Sequence, residues 1–301
     1  MAKIKVAVVG FGNVGQYALK AVVDAPDMEV SGIVVKEKYL ASTRKYNPDF
    51  PVVTQIEELQ ETDVALLSIP SLSIPDYASQ LLTQGISTVD SFDLHGDPII
   101  NLKQKLNKAA LQGDTVSISA AGWDPGTNSL MRAIFQVIAP SGVTHTNFGP
   151  GMSMGHSVGA KKVDGIKRAL SVTNPKGLGA HARELYVELE EGYELAQVEK
   201  DLRQTEYFKD SDLQLYQVEN IDTYLDYGHG VDLQRKGVAS GTHNQLMRFD
   251  MRITNPAVTA QVMATSARAA VKQNPGHYYL LEVPLIDMLI GEREENLHAL
   301  V

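Results

Sequence analysis

The chain has 301 residues, 44% of them hydrophobic, with 27 Lys plus Arg against 36 Asp plus Glu and a formal charge of −9. That balance, with no basic run longer than two residues, excludes a nucleic-acid binder, and no apolar run approaches the roughly 20 residues that cross a bilayer. The lack of cysteine removes disulfides, thiolate catalysis and sulfur-ligated zinc, and the eight histidines show no paired ligand spacing, so no metal is expected. Lys3 and Lys5 lead straight into a glycine motif, unlike a cleavable signal, and a cytoplasmic protein is expected.

Over residues 1–122, short apolar runs alternate with helix-like segments. Residues 4–9 read as a buried strand, 14–23 as a helix with Val14, Ala18, Ala21 and Val22 on one face, and 29–35 as a second strand. Three more strands are predicted over 64–69, 86–90 and 116–119, with helices over 75–83 and 99–112. Strands this apolar are buried on both faces, which predicts a parallel sheet covered by helices. From Trp123 the texture changes. A helix over 128–138 precedes strands over 185–189, 213–218, 231–237 and 246–253, whose alternation predicts a mostly antiparallel sheet with one buried face. A helix over 256–273 carries Val258, Val262, Met263, Ala267, Ala270 and Val271 at helical spacing and is expected to return to the first domain.

Gly10-Phe11-Gly12-Asn13-Val14-Gly15 is a G-x-G-x-x-G between an apolar strand and an apolar helix. Gly10 permits the tight turn, Gly12 lets backbone approach a pyrophosphate, and Gly15 lets helix and strand pack closely, while the helix N-terminus offers free N–H groups to phosphate. The same pattern also occurs as a turn that binds nothing. The fold class expected is α/β: a Rossmann-type parallel sheet domain over 1–122, completed by 256–301, with a second α+β domain over 123–255.

After the second strand, Lys36 and Lys38 suit the 2′-phosphate of NADP, whereas Glu37 between them would repel it or serve the ribose of NAD. This favours NADP over NAD, although all three also read as solvated loop charges. Ligands sit beyond the carboxyl ends of parallel strands, so Ile69-Pro70-Ser71, Ser91-Phe92-Asp93 and the loop Gly122-Trp123-Asp124-Pro125-Gly126 are expected to line the cofactor crevice. Asp90, Asp93 and Asp124 fall at or just after strand ends, and carboxylates beside a nicotinamide imply a cationic substrate. They cannot all be close and unpaired without raising at least one pKa. Asp90 equally reads as the cap of the next turn, and Asp93 and Asp124 read as well structurally as functionally.

In the second half, Arg183, His229 and Asn255 are isolated polar residues near apolar runs, and Thr173-Asn174 ends another predicted strand. Arg can hold a carboxylate bidentately, with Thr, His and Asn completing the hydrogen bonds, though each alone also reads as a surface or strand-end residue. The glycine-rich segment from Phe148 through Met152, Ser153, Met154 and Gly155 to Ser157 reads as a loop whose backbone approaches something closely, or as a turn network without a ligand.

Together, G-F-G-N-V-G at Gly10, V-D-S-F-D at Val89, G-W-D-P-G at Gly122 and F-G-P-G-M-S-M-G-H-S at Phe148 resemble, in this order, the meso-diaminopimelate D-dehydrogenase family. Gly228-His229-Gly230, Thr242-His243-Asn244 and Asn255-Pro256 extend the resemblance over essentially the full length. The form of the second half resembles the family's broader-specificity branch.

The resemblance implies NADP-dependent reversible oxidative deamination at the D-centre of meso-2,6-diaminopimelate, giving L-2-amino-6-oxopimelate and ammonia in lysine biosynthesis. It implies that Asp93 and Asp124 hold a substrate amino group beside Trp123, that Phe148, Met152, Ser153, Met154 and Gly155 line the pocket, and that Thr173, Arg183, His229 and Asn255 hold the polar ends. Asp124 and His229 are the protein candidates for proton transfer, with a water relay as the alternative. A homodimer formed through the middle domain is also implied. This chain departs from the family in carrying Lys36-Glu37-Lys38 where a pair of arginines is usual, and lysine lacks arginine's planar fork. Two other readings compete: another Rossmann reductase of the aspartate pathway, and a regulator that senses NADP(H) without turnover.

Overall fold

The computed structural model describes residues 2–94, 96–205 and 207–301, with the side chains of 154, 155 and 225–227 outside the description. Contacts divide the chain into two compact units, Met1–Leu130 with Pro256–Val301, and Met131–Asn255.

The chain begins with β1 (Ile4–Val9), α1 (Asn13–Val23), β2 (Met28–Val34), α2 (Glu37–Tyr46), β3 (Val52–Val53), β4 (Val64–Leu67), α3 (Ile74–Thr83), β5 (Ser87–Asp90), α4 (Asp97–Gly113) and β6 (Val116–Ser119). α2 is unexpected, because Lys36-Glu37-Lys38 reads as charges on a loop that follows a strand ending at Val35. The strand instead stops at Val34, and Lys36 is the extended N-cap of α2, with ψ 147°. Glu37 in the first turn and Arg44 and Lys45 in the last complement the helix dipole, while only Thr43 is buried, so the apolar signal that marks other helices is missing.

Helix α5 (Thr127–Ile138) runs from the first unit into the second, which contains β7 (Ser141–Phe148), β8 (Gly151–Met152), α6 (Met154–Ala160), β9 (Ile166–Gly177), β10 (Ala180–Leu189), α7 (Leu195–Leu202), β11 (Asp212–Gln217), β12 (His229–Ala239) and β13 (Thr242–Ile253). The strands form two sheets rather than one: β11-β10-β9-β8 and β13-β12-β7. All their pairs are antiparallel except β10 with β11. α7 lies between these two strands in sequence and supplies the crossover that a parallel pair needs. The strand expected to end at Thr173-Asn174 continues to Gly177, because β9 and β10 stay paired to the tip of their hairpin.

The segment 148–157 is not wholly a loop. Gly151 and Met152 pair with β9, and α6 starts at Met154. The short helix is anchored by Ser157, whose Oγ donates to the Ser153 carbonyl at 2.8 Å and accepts from the Ser171 amide at 2.9 Å. Hydrogen bonds of this kind stand in for the apolar stripe that would have announced a helix.

The chain returns to the first unit as α8 (Asn255–Ala270), β14 (Gly276–Tyr279) and α9 (Arg293–Leu300). β14 completes a seven-stranded parallel sheet of order β14-β6-β5-β4-β1-β2-β3. Alternate residues of β1 serve two cores. Val6 and Val8 pack in one cluster with Ala18 and Val22 of α1 and Met263 and Ala267 of α8, whereas Ala7 and Val9 join Leu81 and Leu82 of α3 and Leu102 and Leu106 of α4. This two-sided burial is why residues 6–9 of β1 lack alternation. Arg268, buried in α8, is held by Asp27 (Nη2 to Oδ1, 2.7 Å) and by the Met288 carbonyl at 2.8 Å.

Candidate active site

In the first unit, β1 delivers the chain to a turn at Gly10 with φ +85°. A Cβ at Gly10 would lie 2.4 Å from the Ser68 carbonyl oxygen, and one at Gly15 would lie 2.1 Å from the Gly10 carbonyl oxygen, so both glycines are required by close approach. Gly12 is exposed, with nothing within 4 Å of where its Cβ would be. No side chain caps α1 and its first turn contains no acidic residue, so the amides near Asn13 and Val14 face outward from the positive end of the helix dipole. This is the cradle that a dinucleotide pyrophosphate needs. Ile69 stands beside the turn, its Cγ2 3.0 Å from the Gly10 Cβ position, and Pro70 and Ser71 lead on toward α3. Lys36 and Lys38 are exposed at the start of α2, with the Lys38 ammonium 4.8 Å from the Tyr39 ring centre.

The three carboxylates have different environments. Asp90 is fully buried, accepting from Ser119 Oγ at 2.7 Å and from the Phe92 amide at 2.9 Å. Burial pushes its pKa up to about 6, with those hydrogen bonds opposing the rise. Asp90 is thus the cap of its turn, and the raised pKa arises from burial rather than repulsion among carboxylates. Asp93 is exposed and accepts from Ser71 Oγ at 2.6 Å, which ties two of the expected crevice loops together. Between them, Ser91 is half-buried and the Phe92 side chain lies in the core, so only the Phe92 backbone can serve a ligand. Asp124 is half-buried beside the buried Trp123, whose amide donates to Thr259 Oγ1 at 3.3 Å.

The second unit gathers a separate polar set around Phe148-Gly149-Pro150-Gly151. A Cβ at Gly149 would lie 2.1 Å from the Thr173 carbonyl oxygen, so this backbone runs directly against β9. Gly151 pairs with Thr173 on one side and approaches the His229 Cα on the other. Thr173 and His229, 56 residues apart in sequence, therefore flank one short strand. Arg183 sits opposite Thr173 in the β9–β10 register and donates to its Oγ1 at 2.7 Å. Burial lowers the Arg183 pKa from its usual value. The Asn255 amide donates to His229 Nδ1 at 3.4 Å, which leaves the His229 proton on Nε2, and burial lowers the His229 pKa.

Met152 packs against the cluster of Leu170, Val172 and Ile221, and its amide donates to the Gly228 carbonyl at 2.8 Å. Ser153 pairs through Oγ with His156 Nδ1 at 2.8 Å. The backbones of Met154 and Gly155 begin α6, and their side chains lie outside the described residues.

His156 and His181 carry no assignment in the sequence. His156 lies edge-on to Tyr207 and Phe208, and burial together with the nearby Arg183 charge lowers its pKa to about 4. His181 Nε2 accepts the Phe148 amide at 3.0 Å. The motif containing His156 was a usable signal for that residue, whereas nothing in the local sequence marks His181. Among the described residues no group of three or more His, Asp or Glu is placed to hold a metal, and no helix is long and apolar enough to cross a membrane.

A parallel sheet with a glycine turn leading into an uncapped helix defines the class: a Rossmann-type dinucleotide-binding protein. Residues 122–178 match the diaminopimelic acid dehydrogenase C-terminal domain. Over 301 residues, covering 100% of both proteins, the chain is 48% identical to meso-diaminopimelate D-dehydrogenase of Bacteroides fragilis. It shares its fold with the C. glutamicum DAP dehydrogenase solved in complex with DAP (TM-score 0.82, 24% identity, 100% of each chain). The fold also matches an engineered D-amino acid dehydrogenase bound to NADP+ (TM-score 0.74, 24% identity, 100% of each chain). The chain belongs to the meso-diaminopimelate D-dehydrogenase family. It is an amino acid dehydrogenase acting on CH–NH2 donors, which sets aside the aspartate-pathway reductase and the regulator without turnover.

Proposed function

We propose that the protein catalyses the reversible oxidative deamination of meso-2,6-diaminopimelate at its D-centre, giving L-2-amino-6-oxopimelate and ammonia, with NADP as the preferred cofactor. The observation that carries this reading is the 48% identity, over the full length of both proteins, with a relative of that name. The uncapped α1 N-terminus fits a pyrophosphate, with Gly10, Gly12, Asn13 and Val14 as its cradle. The loops at Ile69-Pro70-Ser71 and Ser91-Phe92 fit beside it. Lys36 and Lys38 at the start of α2 add two cations to the positive end of a helix dipole, which supports a 2′-phosphate and so NADP over NAD.

The nicotinamide supplies a hydride acceptor when bound. The chain's own residues bind and orient the amino acid. Asp93 and Asp124 hold the amino group at the D-centre and stabilise the cationic imine as charge develops, with Trp123 as the apolar wall. Hydration of that imine and loss of ammonia complete the deamination. Arg183 holds a carboxylate, preorganised by Thr173, and His229 and Asn255 hold the remaining polar groups. Phe148, Met152, Ser153, Met154 and Gly155 complete the lining, in the form of the branch that also accepts other D-amino acids. Asp124 and His229 are the protein groups proposed to move protons, directly or through water.

The domain assignment is 1–122 with 256–301 for the dinucleotide and 123–255 for substrate binding and dimerisation. The twelve-residue edge strand β13, with Leu246 71% exposed, and the exposed Val137 and Val143 support a homodimer formed through the second unit. A lysine-biosynthetic reaction of this kind supports a cytoplasmic location.

The deciding experiment is the initial rate of NADP+ and NAD+ reduction with meso-, L,L- and D,D-diaminopimelate, D-alanine and D-lysine at alkaline pH. Meso-selective turnover with NADP+ is expected, and added rates with simple D-amino acids place the chain in the broad branch. No turnover with any of them, despite NADP(H) binding, overturns the substrate assignment.

A further inference from the structure

Two hydrogen bonds join the tip of the β9–β10 hairpin to the end of β7. The Gly179 amide donates to Asn147 Oδ1 at 2.8 Å, and the next residue along β7, Phe148, donates its own amide to His181 Nε2 at 3.0 Å. Asn147 is 2% exposed, so its carboxamide is held by the fold rather than by solvent. The tip that reaches it, Gly177-Leu178-Gly179, has positive φ at all three residues, a tight geometry that brings the returning strand back at a set distance. Because His181 and Arg183 are alternate residues of β10, they share a face, and the strand that carries the guanidinium to Thr173 also carries the imidazole to Phe148.

We propose that His181 is a positioning residue, whose acceptor nitrogen latches Phe148 to the β9–β10 hairpin and so holds the wall of the amino acid site in its binding position. The proposal rests on Phe148 lining the amino acid site, as in the function proposed above. An imidazole that accepts at Nε2 carries its single proton on Nδ1 and is neutral. Burial and the Arg183 charge both hold the His181 pKa below its ordinary value, in keeping with that state. The two rings stand 6.3 Å apart and tilted by 31°, so the side chain of Phe148 is kept beside the histidine as well as its amide. Loss of the latch leaves Phe148, already 36% exposed, tethered only through its other contacts and its strand neighbours.

The test uses the full chain in three forms. In the wild type, long-range proton–nitrogen correlation of the His181 ring is expected to show the Nδ1–H tautomer, and an Nε2–H tautomer overturns the proposal. His181→Leu keeps bulk and removes the acceptor. It is expected to speed hydrogen exchange of the Phe148 amide and to raise KM for meso-diaminopimelate by about 3- to 10-fold with kcat within about twofold. His181→Gln, whose Oε1 can take the place of Nε2, is expected to restore both. Unchanged exchange in His181→Leu overturns the latch, and faster exchange with unchanged KM, or equal loss in both variants, overturns the positioning role. A wild type that turns over no D-amino acid overturns the functional reading and the positioning role with it, while the tautomer and exchange measurements still decide the latch.

Discussion

Ser71 Oγ donates to the Asp93 carboxylate at 2.6 Å, joining the loop after β4 to the loop after β5 across 22 residues of sequence. The bond fixes one oxygen of an exposed carboxylate and leaves the other available to an amino group. Ser71→Ala is therefore expected to lower kcat/KM for the amino acid by about 3- to 10-fold, with the melting temperature nearly unchanged because the bond is solvent-exposed. Asp93→Asn is expected to cost more, since it removes the charge as well. Steady-state kinetics on both variants checks the order, and equal activity of Asp93→Asn and wild type would falsify the role of Asp93.

Arg183 is half-buried and oriented by Thr173 before any ligand arrives. Arg183→Met is expected to lower kcat/KM by on the order of 100-fold, mainly through KM, with the chain still folded. Arg183→Lys is expected to recover only part of this, because an ammonium cannot reproduce the planar fork. Thr173→Val is expected to produce a smaller loss in the same direction. Retention of full affinity in Arg183→Met would remove Arg183 from the site.

The cofactor preference is testable at the start of α2. The double variant Lys36→Ala, Lys38→Ala is expected to raise KM for NADP+ by about 10-fold while leaving that for NAD+ within about twofold, since only the former has the 2′-phosphate. A parallel rise for both cofactors assigns the lysines a general electrostatic effect and not phosphate recognition.

Asp90 predicts a stability effect with a definite sign. Its folded-state pKa of about 6 lies above the ordinary aspartate value of 3.8. Between those values the folded chain binds more protons than the unfolded one, so this group's contribution falls as pH rises from about 4 to about 6 and then levels off. The change is roughly 3 kcal/mol at most by linkage. Asp90→Asn keeps an oxygen to accept from Ser119 and Phe92 and is expected to remove that segment of the pH dependence. Urea unfolding at pH 4.5 and 7 in both proteins measures it, and identical slopes would exclude Asp90 as the titrating group.

The strands β1 and β4 were legible because residues 6–9 and Val64–Leu67 are continuously apolar, as two-sided burial demands, whereas β5 and β6 interleave Ser, Thr and Asp with their buried apolar residues. The glycine turn was legible because Gly10 and Gly15 face backbone that no side chain can share. Helices α2 and α6 escaped notice because charge complementarity and serine hydrogen bonds, not an apolar stripe, hold them.

The amino-acid sequence by itself determined the dinucleotide fold, the family and the residues proposed for the chemistry, since each depends on local pattern or on an ordered set of short motifs. Only the tertiary structure decided their environments. Asp90 became a buried cap while Asp93 became an exposed acceptor of Ser71, though Asp90 ends β5 and Asp93 lies only three residues beyond it. Thr173 met Arg183 through strand register, and His181 met Phe148 through the geometry of a hairpin tip. Hydrogen bonds between residues 10 to 33 positions apart depend on register and burial, which the spacing of residue types does not encode.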